Sequence, residues 1–374
     1  MVLEDRYPFG MEIVTSTRDP VGGTAAANPQ PPAGTGSSPF VSSSAATAAE
    51  RTWTEELRLA VRDVSQLLSA LDLTTQDLPE LAHQPPDRFS LLVPWPFVRR
   101  MRPRDPKDPL LRQVLPVMDE LSRPPGYVLD PVGDLAARQA PGLLHKYHAR
   151  ALLVVSGACG VHCRYCFRRH FPYTEDAGPA TWDAALWAIK KDTSIEEIIL
   201  SGGDPWVLSD RRLAELFAQL AAVGHLQRLR VHTRLPVVIP QRVTEGLLAG
   251  LCGTRLVPVV VVHVNHPQEL DEATVAALRK LHAAGVPLLN QAVLLAGIND
   301  DAQVLAELSR RLIEAGVLPY YLHQLDRVAG AAHFEVSEAR GRQLVARLRR
   351  LLPGYLVPRY VREVAGAPYK VVLG

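Results

Sequence analysis

The chain is poor in cysteine, with four in 374 residues. Three of the four fall within eight residues, so they read as a ligand set and not as the disulfides of a secreted scaffold. It has little net charge: a balance of +2 offers no electrostatic argument for a nucleic-acid or membrane-surface partner. Long apolar runs are missing too, and nothing approaches the roughly 20 residues that span a bilayer. The N-terminus carries Glu4, Asp5 and Arg6 and lacks the apolar core of a signal peptide. These absences point to a cytoplasmic, reducing location that suits thiolate ligands, with neither nucleic acid nor membrane as a partner.

The clustered thiols are Cys159-Gly-Val-His-Cys163-Arg-Tyr-Cys166, just after an apolar run at 151–155. Thiolates are soft ligands that suit zinc or iron–sulfur clusters. Structural zinc normally takes four protein ligands from two knuckles, which this loop lacks. Three ligands from one loop can hold three irons of a cubane and leave the fourth open. The spacing, with Tyr165 before the last cysteine, resembles the radical S-adenosylmethionine signature, in which the open iron takes that cofactor's amino and carboxylate groups. Cys252 stands alone in an apolar, helix-like run and reads as a small core residue.

Residues 17–50 are rich in Gly, Pro, Ala, Ser and Thr, and the leading 1–50 is expected to be a disordered, low-complexity tail. Met11 leaves the start of the chain open. Thr52-Trp-Thr-Glu55 reads as a capping box, and Leu57, Val61, Val64, Leu67, Leu68 and Leu71 recur at helical spacing. Further helices are expected over 95–101 and 110–121, making 51–142 a helical N-terminal domain. From about residue 150 short β-branched runs alternate with helices. Strands are expected at 151–155, 197–200, 229–232, 257–262, 287–293 and 320–323. Helices are expected near 182–190, 211–222, 241–251, 269–284 and 302–315.

Such alternation predicts a parallel sheet. The unusual polar groups collect after strand C-termini along all six units, where barrel active sites lie. An open doubly wound sheet would gather them at one crevice. The expectation is therefore an α/β fold, a partial (β/α)6 TIM-like barrel over 143–330. Residues 331–374 would add a helix and a short C-terminal segment closing the site.

Ser201-Gly-Gly-Asp-Pro205 is either a βα loop with Asp204 capping the next helix or a place where backbone approaches a ligand closely. Arg168 and Arg169 are solvated loop charges or a fork for a carboxylate. His145 to Arg150 is an exposed basic loop or an anion site. Asp326 and Glu363 are lone acids among apolar neighbours. Lys370 lies in strand-like rather than tail-like sequence, where a lysine could lose its proton readily and form a Schiff base.

Several stretches together resemble one family. They are Leu143-Leu-His-Lys-Tyr-His-Ala-Arg150, Cys163-Arg-Tyr-Cys-Phe-Arg-Arg-His-Phe-Pro172, Ser201-Gly-Gly-Asp-Pro205, Asn290-Gln-Ala-Val-Leu-Leu295, Pro319-Tyr-Tyr-Leu-His-Gln-Leu-Asp326 and Gly330-Ala-Ala-His-Phe334. The likeness is to the lysine 2,3-aminomutases, most of all their short branch, the elongation factor P beta-lysylation proteins. It implies an isomerase using a 4Fe-4S cluster, S-adenosyl-L-methionine and pyridoxal 5'-phosphate to convert L-lysine to beta-lysine. It also implies a functional link to elongation factor P and its lysyl ligase, and an electron donor; a homo-oligomer is compatible with it. Cys159, Cys163 and Cys166 would hold the cluster, and Lys370 would bond covalently to pyridoxal phosphate. Lys146, Tyr147 and Arg150 would hold that cofactor and its phosphate. Ser201, Gly202, Gly203, Asp204, His263 and Gln291 would contact S-adenosylmethionine. Arg168 would bind the substrate carboxylate, and Asp326 and Glu363 its ε-ammonium.

The chain departs from the long aminomutases in three places. It has Gly366-Ala-Pro-Tyr369 where they have a glycine run, Glu363 where they have an aspartate, and only four residues after Lys370. One rival is an aminomutase for another amino acid, with glutamate disfavoured because the acid pair would repel it. The other is a non-catalytic cluster- or zinc-binding module.

Overall fold

The apolar runs condense into one ten-stranded mixed sheet. In the computed structural model, residues 51–82 and 89–374 are described; the expected disordered tail, 1–50, lies outside them. The strands are β1 (Arg138–Ala140), β2 (Leu143–Tyr147), β3 (Arg150–Ser156), β4 (Glu197–Gly202), β5 (Arg228–Thr233), β6 (Val257–Val262), β7 (Leu288–Val293), β8 (Val317–His323), β9 (Arg359–Arg362) and β10 (Val371–Val372). Neighbours in the sheet are neighbours in sequence throughout. Strands β3 to β9 run parallel. At one end β2 pairs antiparallel with β3 and β1 antiparallel with β2, and at the other β10 turns back on β9. An order that never reverses sends its right-handed crossovers to one face and leaves no switch-point crevice. That is consistent with the incomplete barrel expected from the sequence.

Six parallel strands were expected, and β9 is a seventh. The stretch from His145, expected as a loop, continues β2 and makes a tight hairpin with β3, its turn carrying Ala149 at φ 61°. The crossover helices Asp210–Ala221, Glu245–Cys252, Glu272–Ala283, Ala302–Glu314 and Glu338–Leu351 open on Ser209, Thr244, Asp271, Asp301 and Ser337. Each of these side chains accepts a backbone N–H of the first turn, which satisfies one of the donors a helix start leaves unpaired. Leu213, Leu216, Phe217 and Leu220 pack on Ile198, Leu200, Leu229 and Val231 of the sheet. Each such burial stabilises by about 1.5–3 kcal/mol. The opposite residues of these strands, Ser201, Arg230 and His232 among them, therefore face the interior.

Four expectations need correction. The run from Leu57 to Leu71 is two helices, Trp53–Arg58 and Val64–Ala70, because Asp63 caps the second and Val61 bridges to Val93. The helix at 95–101 is only Trp95–Val98. The helix at 110–121 is two 3-10 turns, Leu111–Gln113 and Met118–Leu121; Pro116 between them has no N–H to continue the ladder. Cys252, expected in the core, ends its helix exposed. Val257 at the start of β6 is 54% exposed, and that strand is buried only toward its far end.

Gly341 lets the helix Glu338–Leu351 lie directly on Tyr360 of β9. A Cβ there would come within 2.3 Å of the ring's Cζ, and the ring is fully buried and paired with Gln324. Gly341→Ala should therefore lower stability by about 1–3 kcal/mol through overpacking. Urea unfolding at equal slope measures it, and an unchanged midpoint would contradict this packing.

Candidate active site

The cysteine loop leaves the C-terminal end of β3, and the end of β4 docks against it. Gly203 and Asp204 donate their backbone N–H groups to Ser156 O and Ala158 O at 2.7 and 2.8 Å. A Cβ on Gly203 would stand 2.2 Å from Ala158 O and 3.0 Å from Cys159 Sγ, and Gly202 has φ +123°. The glycine pair is thus required by the approach of two loops. The three thiols are free and half-buried. Burial and then the neighbouring sulfur push Cys159 well up and Cys166 up to about 11, so the sulfurs lie close enough to feel one another's charge. Among the described residues no group of three or more His, Cys, Asp or Glu side chains is arranged to hold a single metal ion. By their chemistry, three soft donors on one loop, with glycine backbone beside them, fit a cluster with an open iron.

Behind the loop lies a buried polar network. Arg234, at the end of β5, donates to Cys163 Sγ at 2.7 Å, to Gln113 Oε1 at 2.6 Å and to Glu269 Oε2 at 2.9 Å. Tyr165 donates to Gln113 and meets His263 Nε2 at 2.9 Å, and Asn265 donates to Tyr165 at 2.7 Å. Burial and then Arg234 lower His263 to about 3, so its imidazole is neutral. Gln113, Glu269 and the role of Arg234 escaped the sequence reading. Only the position of Arg234 at a strand end hinted at it.

The second half of the site is a chain of opposite charges along the interior. Arg168 donates to Asp134 at 2.6 Å and to Ser201 Oγ at 3.0 Å. Lys146 pairs with Asp134 at 2.6 Å and with Glu363 at 3.6 Å. Tyr147 donates to Glu363 at 2.6 Å, and Lys370 donates to the other oxygen of that carboxylate. The strand register explains the last contact: Val371 faces Arg362, so Lys370 falls opposite Glu363. Burial would raise Asp134, but Arg168 and Lys146 outweigh it and hold it at about 2. Burial lifts Asp326 to about 7, although Lys370 opposes it. His232 and His323 are kept neutral by burial, helped by the Lys370 ammonium. Lys370 therefore lies on the same interior as Arg168, whose charge also reaches Cys166 and His232. Asp134 carried no signal in the sequence beyond a polar turn.

Tyr147 and Arg150, expected just before the first parallel strand, lie at the N-terminal end of β3, the far end of the strand from the cysteines, with Arg150 over the Tyr147 ring at 4.6 Å. The site therefore runs the length of the interior instead of sitting only at strand C-termini. The Asp204 carboxylate accepts from protein groups on both of its oxygens, from Trp206 N, Thr233 Oγ1, Arg234 N and Leu235 N at 2.7–3.2 Å, which makes it the clamp between the β4 and β5 ends. Ser201, Gly202, Gly203 and His263 lie beside the cysteine loop, and Gln291 alternates with the buried Asn290 and Ala292 of β7.

A thiol loop at one end of an α/β interior, and a lysine held between acids farther in, define a cofactor-dependent enzyme. No family model matches the chain. It is 47% identical over 324 residues to the L-lysine 2,3-aminomutase of Haemophilus influenzae, covering 86% of this chain and 96% of that one. The L-lysine 2,3-aminomutase of Escherichia coli is 47% identical over 322 residues, covering 86% and 94%. That of Clostridium subterminale is 33% identical over 317 residues, covering 84% and 76%. A solved radical SAM methyltransferase from Sphaerobacter thermophilus is 20% identical with a TM-score of 0.43 over 60% of this chain and 71% of that one, too distant to carry an argument. The chain belongs to the lysine 2,3-aminomutase family of radical S-adenosylmethionine enzymes, and it is an isomerase. The family's cofactors are a 4Fe-4S cluster, S-adenosylmethionine and pyridoxal phosphate.

Asp326 supplies a test of this electrostatic arrangement. A carboxyl whose folded pKa lies above its unfolded value costs stability increasingly as pH rises from about 4 to about 7. Asp326→Asn should therefore stabilise the cofactor-free protein at pH 8 by on the order of 1–2 kcal/mol, after allowing for solvent screening at a partly exposed group. The gain should vanish near pH 4. Paired melts at the two pH values measure it, and equal gains at both would contradict the raised pKa.

Proposed function

We propose that this chain converts L-lysine to β-lysine by moving the amino group from Cα to Cβ. The observation that carries this is the seat of Lys370: its ammonium rests on Glu363 with Asp326 nearby. The acid pair thus already holds one primary alkylammonium of the kind at the end of a lysine side chain. When bound, the cluster with S-adenosylmethionine supplies a hydrogen-abstracting radical, and pyridoxal phosphate supplies a conjugated ring that delocalises an unpaired electron.

The residues divide the remaining work. Cys159, Cys163 and Cys166 hold the cluster, with Ser201, Gly202, Gly203, His263 and Gln291 around S-adenosylmethionine. Lys370 holds pyridoxal phosphate, with Tyr147 and Lys146 beside it and Arg150 at its phosphate. Once Lys370 is so engaged it no longer neutralises Glu363, and the acid pair is left for the substrate ε-ammonium. Arg168, fixed by Asp134 and Ser201, takes the substrate carboxylate at the other end. One anion site and one cation site thereby measure the side chain's length, and a carboxylate side chain would be repelled. The partial barrel keeps water from a reactive intermediate.

The near end-to-end match to the H. influenzae and E. coli relatives, against 76% of the longer C. subterminale enzyme, favours the short branch. On that reading β-lysine is passed to a ligase that modifies elongation factor P, and the enzyme works in the cytoplasm with a separate electron donor. Anaerobic incubation of the reconstituted protein with free lysine, S-adenosylmethionine and reductant should give β-lysine. A product from another amino acid instead would refute the substrate assignment. With pyridoxal phosphate alone, a visible Schiff-base band should form and be lost in Lys370→Ala; its persistence would remove Lys370 from the role.

A further inference from the structure

Arg234 has no part in the assignment above, yet it is among the most constrained side chains of the molecule. Its backbone N–H is held by Asp204 at 2.7 Å. Its guanidinium lies 5.3 Å from the Phe97 ring centre and 5.8 Å from that of Tyr165. Nη2 is taken by Gln113 and Glu269, which leaves Nη1 directed at Cys163 Sγ, 2.7 Å away. Nε is buried with no acceptor among the protein atoms, an unpaired donor of the kind that marks a missing group. The residue is 6% exposed, so water screens its charge little.

The geometry points to Arg234 as a positioning residue for the cluster, donating to the sulfur of Cys163 and stabilising the reduced, more negative state. This rests on the reading of the three cysteines as cluster ligands. Hydrogen bonds to ligand sulfurs and nearby charge are among the main determinants of a cluster's reduction potential. Glu269 balances the guanidinium's charge overall, but from the far side: the group facing the sulfur is a charge-assisted N–H. When the cluster takes one electron from an external one-electron reductant, the added negative charge spreads onto its sulfurs, and this N–H gains in strength. Asp204 then has a physical task as well, since it sets the backbone from which Arg234 reaches the loop.

The test is a potentiometric titration, followed by EPR, of the full reconstituted chain as wild type, Arg234→Gln and Arg234→Lys, at matched iron and sulfide content. At the potential that half-reduces the wild type, Arg234→Gln should show about a tenfold lower ratio of reduced to oxidised cluster, a midpoint about 59 mV more negative for one electron. Arg234→Lys, which keeps the charge and loses the fork, should shift less in the same direction. Equal midpoints in all three proteins would overturn the proposal. If neither variant retains iron, wild type labelled with 15N-arginine decides: pulsed EPR of the reduced cluster should show a 15N coupling, and its absence would overturn the proposal. A wild type that binds no iron and sulfide would be a distinct outcome, overturning the cluster reading itself and this inference with it.

Discussion

One carboxylate joins the two ends of the sheet. Glu363 follows β9, while Tyr147 and Lys146 lie on β2 toward the other end of the strand order, and among the described residues no backbone ladder connects them. Tyr147 at 2.6 Å, Lys146 at 3.6 Å and Lys370 all converge on Glu363. Burial would raise its pKa, but Lys370 and the other donors outweigh that and hold it below the usual glutamate range. It is therefore charged at neutral pH and can bind all three. Gly133 also meets Ala365 beside this junction, where an added Cβ would stand 3.1 Å from that of Ala365. The interior is enclosed by side chains where hydrogen-bonded strands leave off.

Enclosure is what gives the interior its electrostatic character. Away from water, charges interact strongly and an unpaired one is costly. The site answers with an alternating series, Arg168, Asp134, Lys146, Glu363 and Lys370, each next to its opposite. Outside the series, His232 and His323 lose their protons, Asp326 is drawn to about 7, and Arg230 pairs with Glu197. At the other end, Arg234 is matched by Glu269 and turned to Cys163. The two halves share one rule. In each, a buried carboxylate holds a guanidinium, Asp134 for Arg168 and Glu269 for Arg234.

Much of the fold was legible because buried strands and capped helices carry local signals. The apolar runs located β3 to β8 to within a few residues, and the cysteine spacing marked the loop without any knowledge of the sheet. The helix of 110–121 failed because apolar periodicity outvoted a single Pro116. The β2 hairpin was missed because Lys146 and Tyr147 look solvated; their partners, Asp134 and Glu363, lie 12 and more residues away. Asp204 kept the plain reading it first had, a cap, because its four donors come from two different strand ends.

What the sequence determined alone was most of the parallel strands with their crossover helices, and the thiol loop. These rest on periodicity and on short-range spacing, which the chain carries within a few residues. What only the tertiary structure decided was which charges meet. The pairing of Lys370 with Glu363, of Arg168 with Asp134 and of Arg234 with Cys163 depends on strand register and on the meeting of sheet ends. Those contacts join residues from 7 to 71 positions apart, and their strength comes from burial that no local stretch can specify.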